Sequence, residues 1–204
     1  VTRIHMPAFL TTLGTQSILS GVAMWMTGTK AVTVTNKTFL FWFGSGQLGV
    51  VPILFIWALV AMVVGHIVLN HTSYGRKILA TGGNIVSARY SGVPVKKITM
   101  SAFIFMGMLS GLAGTLYAGR AQAARWDFGN GAEMNVIAAV VLGGTAMSGG
   151  TGSAIGAVVG SFLIMMINNG LVIGGLGVAQ QTLMQGVIIL IAVALSELGK
   201  KKRD

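Results

Sequence analysis

The chain contains no cysteine, and only four of its 204 residues are acidic. Without thiols there are no disulfides, no thiolate metal sites and no cysteine nucleophile. The lack of acids is more informative. Carriers driven by protons or sodium bury Asp, Glu or His along their pathways. Inside the apolar stretches here the ionisable groups are His66 and, near the end, Glu197. This disfavours ion-driven transport unless residues beyond these 204 supply the ion ligands, and energy for pumping is then expected from a partner protein. Charge as a whole is scarce, at 9% of residues against 53% hydrophobic, with a mean hydropathy of +0.78. Soluble domains carry about 25% charged residues, so the bilayer is the solvent this sequence expects.

Further absences remove enzyme classes. The one Gly-Lys pair, Gly199–Lys200, is followed by Lys201 where a phosphate-binding loop needs Ser or Thr,. ATP is not hydrolysed by that route. The run from Gly150 to Gly156 lacks the third-glycine spacing and the preceding strand of a dinucleotide loop,. His5, His66 and His71 show no ligand spacing, so neither a metal nor another cofactor is expected.

What the chain does have is basic charge in two places. Arg76, Lys77, Arg89, Lys96 and Lys97 crowd one connection, and Lys200, Lys201, Lys202 and Arg203 form the tail, within a net charge of +10. Basic clusters beside apolar spans mark the cytoplasmic side, and no aromatic-rich basic face suggests nucleic acid. The apolar segments are 7–28, 50–69, 98–118, 136–147, 154–167 and 182–198, divided late in the chain by 143-GGTAMSGGTGS-153 and 168-NNGLVIGGLGVAQQ-181. The fold class expected is all-α, a polytopic transmembrane helical bundle. If 70–97 and the tail share one side, an even number of crossings separates them. Four segments satisfy this, and so does a re-entrant hairpin between two spans; the geometry at 136–153 stays open. The connection 29–49 then faces outside. Gly107 and Gly111, and Gly152, Gly156 and Gly160, recur at four-residue spacing, which permits close backbone approach between membrane helices,. Asp127 and Glu133 share the outer loop with Arg120 and Arg125, where mutual ion pairing is the expected use,. Asn168, Asn169, Gln180, Gln181 and Gln185 are amides at membrane depth. They serve either as interhelical glue or as the lining of a wet path for a neutral, hydroxylated solute.

The stretch 80-ATGGNIVSARYSGVPVKK-97 is longer and more patterned than a turn requires. Asn84 is placed to cap a helix by accepting from the N–H of Val86 or Ser87. Residues 85–91 make about two turns, Gly92 suits a left-handed residue after the helix, and Pro94 prevents continuation. Gly82–Gly83 would let the chain turn away from the preceding span. Helices this short are marginal alone, so this one rests on the protein's own helix ends or docks a separate protein.

The runs GRKILATGGNIVSARYSGVPVKKI (75–98) and MNVIAAVVLGGTAMSGGTGSAIGAVVGSFLIMMINNGL (134–171) closely resemble bacterial ABC sugar permeases of the ribose/xylose/branched-chain type, in order and spacing as well as in residues. The resemblance implies the permease subunit of an importer for a monosaccharide or related polyol. Its partners would be an ATP-binding ABC subunit, an extracytoplasmic sugar-binding protein and a second permease copy, within the lipid of the bacterial inner membrane. It further implies a cytoplasmic coupling helix near 84–91, with Gly82, Gly83, Asn84, Ala88, Arg89, Ser91 and Gly92 contacting the ATPase. By the same comparison Gly143, Gly144, Thr145, Asn168, Asn169 and Gln185 would lie along the translocation path. Members of the family have about ten spans, each near the ~20 residues a crossing needs, of which about six are here. Residues 1–204 therefore read as the C-terminal two thirds of one permease domain. A passive channel with 143–153 as its filter, or a shortened homologue that does not transport, are the other readings.

Overall fold

The structure, a computed structural model, describes residues 8–177, 179–184, 186–188 and 190. In chain order these form α1 (Ala8–Thr27), β1 (Val32–Thr33), α2 (Lys37–Phe43), β2 (Gln47–Leu48), β3 (Val51–Pro52), α3 (Ile53–His71), α4 (Ser73–Gly83), α5 (Ile85–Tyr90), α6 (Val95–Ala121), β4 (Ala123–Ala124), α7 (Ala132–Leu142) and α8 (Ala154–Ile173). The strands are two-residue ladders. β1 pairs antiparallel with β4, Val32 opposite Ala124, and β2 pairs with β3, Leu48 opposite Val51.

Among the described residues three helices, α3, α6 and α8, are long and apolar enough to cross a membrane. Their large side chains, among them Phe105, Met108, Phe162 and Met166, are mostly exposed, as a lipid-facing surface requires. α1 has the length, but its polar residues keep it out of that group. Thr15 and Ser17 satisfy their hydroxyls on the carbonyls of Thr11 and Leu13, one turn back,. At 11 residues α7 is about 16 Å long, well short of the ~30 Å hydrocarbon thickness,. α8 corrects one expectation. It runs through Asn168, Asn169 and Gly170 to Ile173 instead of stopping at 167. One helical glycine costs only about 1 kcal/mol, too little to end a helix whose next residues are Leu171, Val172 and Ile173. Most of the expected segment 182–198 lies outside the described residues.

Four helices end in the same way. After α1, α5, α7 and α8 a glycine takes positive φ: Gly28 (56°), Gly92 (78°), Gly144 (86°) and Gly175 (74°). In each case that glycine and its successor donate to carbonyls of the last turn; Leu176 N–H reaches Leu171 at 3.2 Å, and Thr145 N–H reaches Val140 at 3.1 Å,.

The described chain divides into two compact units, one comprising the residues up to Ala61 with Lys96–Asn130, the other Met62–Val95 with the residues from Gly131 onward. In the first, Asn36 caps α2 by accepting from Thr38 and Phe39 N–H at 3.0 and 3.2 Å. α2 then stacks Phe43 on Trp57 of α3, and Trp57 Nε1 donates to the Trp42 carbonyl at 3.0 Å. Gly44 and Gly119 meet backbone to backbone, with no room for a Cβ on either. Arg125 grips Asp127 with two bonds, 2.9 and 2.6 Å, the one ion pair among the described residues. Glu133 and Arg120 instead sit in the first turn of α7 and the last turn of α6, where their charges suit the helix dipoles. Gly107 and Gly111 were expected to permit close packing; a Cβ on either would meet nothing within 4 Å among the described residues.

In the second unit α7 and α8 form an antiparallel hairpin. Gly143 lies against the Gly156 carbonyl and Gly160 against that of Ala139, contacts a Cβ would forbid. Ala138, Ala139 and Ile164 make its buried core. Of the second glycine series, Gly156 and Gly160 form this seam, while Gly152 lies beside Thr145.

Candidate functional site

The site begins where α3 ends. Thr72 leaves the helix in an extended conformation (φ −108°, ψ 154°), donates its hydroxyl to the Val68 carbonyl at 2.6 Å and accepts from Gly75 N–H at 3.1 Å. Gly75 is buried against the carbonyls of Val68 and Leu69, so closely that any side chain would overlap them. The sharp turn away from the span is made here. This corrects the assignment of that turn to Gly82–Gly83, which occupy the last turn of α4. Residues 73–83 did not stand out as a helix because SYGRKILATGG carries three glycines and two bases. What holds it together is amphipathicity: Ile78 and Leu79 are half-buried while Arg76 and Lys77 are exposed,.

Asn84 is the joint between α4 and α5. Extended at φ −153°, ψ 107°, it ends α4 by donating its backbone N–H to the Ala80 carbonyl at 3.1 Å. Its side chain opens α5 by accepting from Ser87 N–H at 3.0 Å. At the other end Ser91 is the cap. Gly92 N–H donates to Arg89 and Val93 N–H to Ala88, both at 3.0 Å. The helix covers Ile85–Tyr90, one residue shorter than 85–91. Ala88 is buried at 4%, whereas Ile85, Val86 and Tyr90 are 54, 62 and 89% exposed. At about 100° per residue, Ile85, Arg89, Val86 and Tyr90 span a continuous arc of roughly 140°. α5 thus turns one small residue inward and an apolar face with one cation outward. The family resemblance pointed to Ala88 and Arg89 but not to Ile85, Val86 or Tyr90. Their helical spacing was the available signal.

The second component is the loop from Gly143 to Ser153. Ala146 N–H donates to the Thr151 carbonyl at 3.2 Å and Gly149 N–H to Ala146 at 3.0 Å, so the loop is closed on itself. Ser153 then caps α8, accepting from Gly156 N–H at 3.0 Å. The tip of the loop seats on the end of α4. A Cβ on Gly82 would lie 2.8 Å from the Gly150 nitrogen, one on Gly149 2.5 Å from the Gly82 carbonyl oxygen, and one on Gly150 2.8 Å from the Gly83 Cα. Gly149 and Gly150 both have φ of +85°, a region that L side chains rarely occupy. Beside this seat lies a cleft of about 340 Å³, walled by Leu69, Ile78 and Leu79 and by the loop with its Thr145, Thr151 and Ser153 hydroxyls. Another of the glycine pairs in the sequence, 149–150, was the available sign that two backbones meet here.

The remaining path residues fall into separate places. Gly143 and Gly144 end α7, and Thr145 opens the loop. Asn168 and Asn169 lie twelve and thirteen residues beyond Gly156 on α8, roughly 18 Å along the helix; the first is half-buried and the second exposed. The two groups are not brought together. Gln185 lies outside the described residues.

The family model described as "Branched-chain amino acid transport system / permease component" matches residues 1–193. Among curated proteins the chain is 37% identical over 189 residues to the probable ABC transporter permease protein YphD of Escherichia coli K12, covering 93% of this chain and 57% of that one. It is 35% identical over 196 residues to the ribose import permease protein RbsC of Bacillus subtilis 168, covering 96% and 61%. With the xylose transport system permease protein XylH of E. coli K12 the identity is 33% over 191 residues, covering 93% and 47%. The chain thus spans about half to three fifths of the length of these relatives. No solved structure matches it.

Proposed function

The chain belongs to the family of branched-chain amino acid transport system permease components, and from that premise we propose that it acts as the permease subunit of an ATP-driven ABC importer for a monosaccharide or related polyol. Membership and the three apolar helices make it a multi-pass protein of the inner membrane. The sugar reading is supported by relatives named for ribose and xylose transport. ATP is hydrolysed on a partner subunit, and the permease makes or breaks no bond in the solute. An extracytoplasmic sugar-binding protein delivers the sugar, and a second permease copy completes the path.

The observation that carries the coupling role is α5: a six-residue helix, capped at both ends, that exposes Ile85, Val86 and Tyr90. Such an apolar face outside the spans is costly in water unless a partner covers it. The ATP-binding subunit is that partner, with Gly82, Gly83, Asn84, Ala88, Arg89, Ser91 and Gly92 shaping the contact. ATP-driven closure of that subunit would move α5 as a rigid lever and reorient the helices, a rigid-body switch. The basic connection 70–97 and the tail 200–203 face the cytoplasm. Because the loop tip seats on α4, the turn between α7 and α8 belongs on that same side. Gly143, Gly144 and Thr145 would then line the inner end of the path and Asn168 and Asn169 a point farther along it, with Gln185 also assigned to the path.

The test is ATP-dependent uptake of a panel of labelled sugars by vesicles holding the full-length permease with its ATP-binding subunit, with wild-type protein and Tyr90→Glu compared. Tyr90 is almost fully exposed, so the variant should insert normally. It should lose the ATP-binding subunit on purification and lose uptake with it. Retention of both would remove α5 as the docking element.

A further inference from the structure

We infer that the loop from Met147 to Ser153 carries the displacement of α5 into the α7–α8 hairpin, through the seat of Gly149–Gly150 on Gly82–Gly83. The inference rests on the importer reading above but names a contact that lies behind the docking helix, inside the permease itself.

The argument is one of stiffness. α5 is joined to α4 by the single extended residue Asn84, which is bonded to both helices: its N–H to Ala80 and its side chain to Ser87 N–H. Gly82 and Gly83 are the last two residues of α4, immediately behind that joint. They meet the loop tip through backbone atoms: a Cβ on Gly82 would lie 2.8 Å from the Gly150 nitrogen and one on Gly149 2.5 Å from the Gly82 carbonyl oxygen, while one on Gly83 would lie 3.5 Å from the Gly150 Cα. Side-chain contacts absorb small shifts by changing rotamer, and backbone contacts lack that freedom. The loop is closed by its own bonds and passes the contact on at both ends. Thr145 N–H is bonded to the Val140 carbonyl of α7, and Ser153 caps α8. Beyond the loop the same glycine-to-backbone contact repeats, Gly143 against Gly156 and Gly160 against Ala139. Each step from α4 to the middle of α8 is thus backbone against backbone or a hydrogen bond of 3.0–3.2 Å.

Gly82 is the discriminating position. It is helical and free of positive φ, and Ala is favoured over Gly in helices by about 1 kcal/mol. A harmful Gly82→Ala therefore cannot be local unwinding; it is a wedge, against the loop or against the ATP-binding subunit, and only the first lowers the disulfide yield while that subunit stays bound on purification. A readout independent of transport is also available. A Cβ on Gly65 of α3 would lie 3.5 Å from Ala154 Cβ at the start of α8, within disulfide range, and these 204 residues hold no native cysteine.

The experiment measures, in vesicles with the full-length permease and its ATP-binding subunit, the disulfide yield of the Gly65→Cys, Ala154→Cys pair. It also measures sugar uptake per ATP hydrolysed, in wild-type, Gly82→Ala and Gly82→Val backgrounds. Yield should fall stepwise from Gly to Ala to Val as the displaced loop shifts the start of α8. Uptake per ATP should fall by roughly tenfold in Gly82→Val, within the range of mutations along coupling networks, measured only on complexes that retain the ATP-binding subunit. Unchanged yield in both variants would overturn the linkage, and so would lowered yield with normal uptake per ATP. If Gly82→Val does not insert, Gly82→Ala decides by the same criteria. If wild-type vesicles show no ATP-dependent uptake, the importer reading fails, and the yield series by itself decides whether α4 and α8 are mechanically joined.

Discussion

The double substitution Asn84→Ala with Gly92→Val removes both ends of α5 and leaves its outward face unchanged. The Asn84 side chain holds one amide, Ser87 N–H, at 3.0 Å; losing an N-cap of this kind costs about 1 kcal/mol. Gly92 sits at φ +78°, where a side chain costs about 1–2 kcal/mol, with a β-branched one at the upper end. The two positions lie at opposite ends of a helix about 9 Å long, so their effects should add, to about 2.5 kcal/mol. That is roughly a 70-fold shift towards the unwound segment, against about fivefold for Asn84→Ala alone. A six-residue helix has no propensity reserve to resist such a shift. Amide hydrogen exchange at Ser87 and Val93, the donors at the two caps, should accelerate in that proportion. In reconstituted complexes ATP hydrolysis should then proceed without matching sugar uptake, while membrane insertion is unaffected. If exchange at Ser87 and Val93 accelerates as calculated and uptake still tracks hydrolysis, an ordered α5 is not needed for coupling. The lever would then have to be sought elsewhere.

Two other outcomes follow from the same geometry. Gly75→Ala should lower the thermal midpoint of the detergent-solubilised permease, because the added Cβ overlaps the Val68 and Leu69 carbonyls and overpacking costs about 1–3 kcal/mol; an unchanged midpoint would mean the turn after α3 relaxes freely. Trypsin added outside intact cells should spare Arg76, Lys77, Arg89, Lys96 and Lys97, and should cut among them in inverted vesicles; the reverse pattern would invert the orientation.

Much of this protein was legible in its residues, for local reasons. The cap at Asn84 and the stop at Gly92 depend on hydrogen bonds within a few residues and on one φ angle, so α5 was readable to within a residue. The apolar segments at 50–69 and 98–118 were readable because hydrophobic length is itself the requirement of the bilayer. The ion pairing of Asp127 was readable because Arg125 is two residues away. Where local signals competed with neighbours, reading failed. Gly170 suggested a break that the apolar turn after it overrides. Three glycines hid α4, whose stability comes from burying Ile78 and Leu79. Gly107 and Gly111 have the spacing of a packed seam, yet no described residue lies against them.

By itself, then, the sequence determined the solvent, the helical class, the family and the capped helix, since composition, run length and caps act over short distances. Only the tertiary structure decided that the chain turns at Gly75, that Ile85, Val86 and Tyr90 face outward, and that Gly82–Gly83 meets Gly149–Gly150. Residues nearly seventy positions apart share no local pattern, and a glycine records that something comes close without recording what.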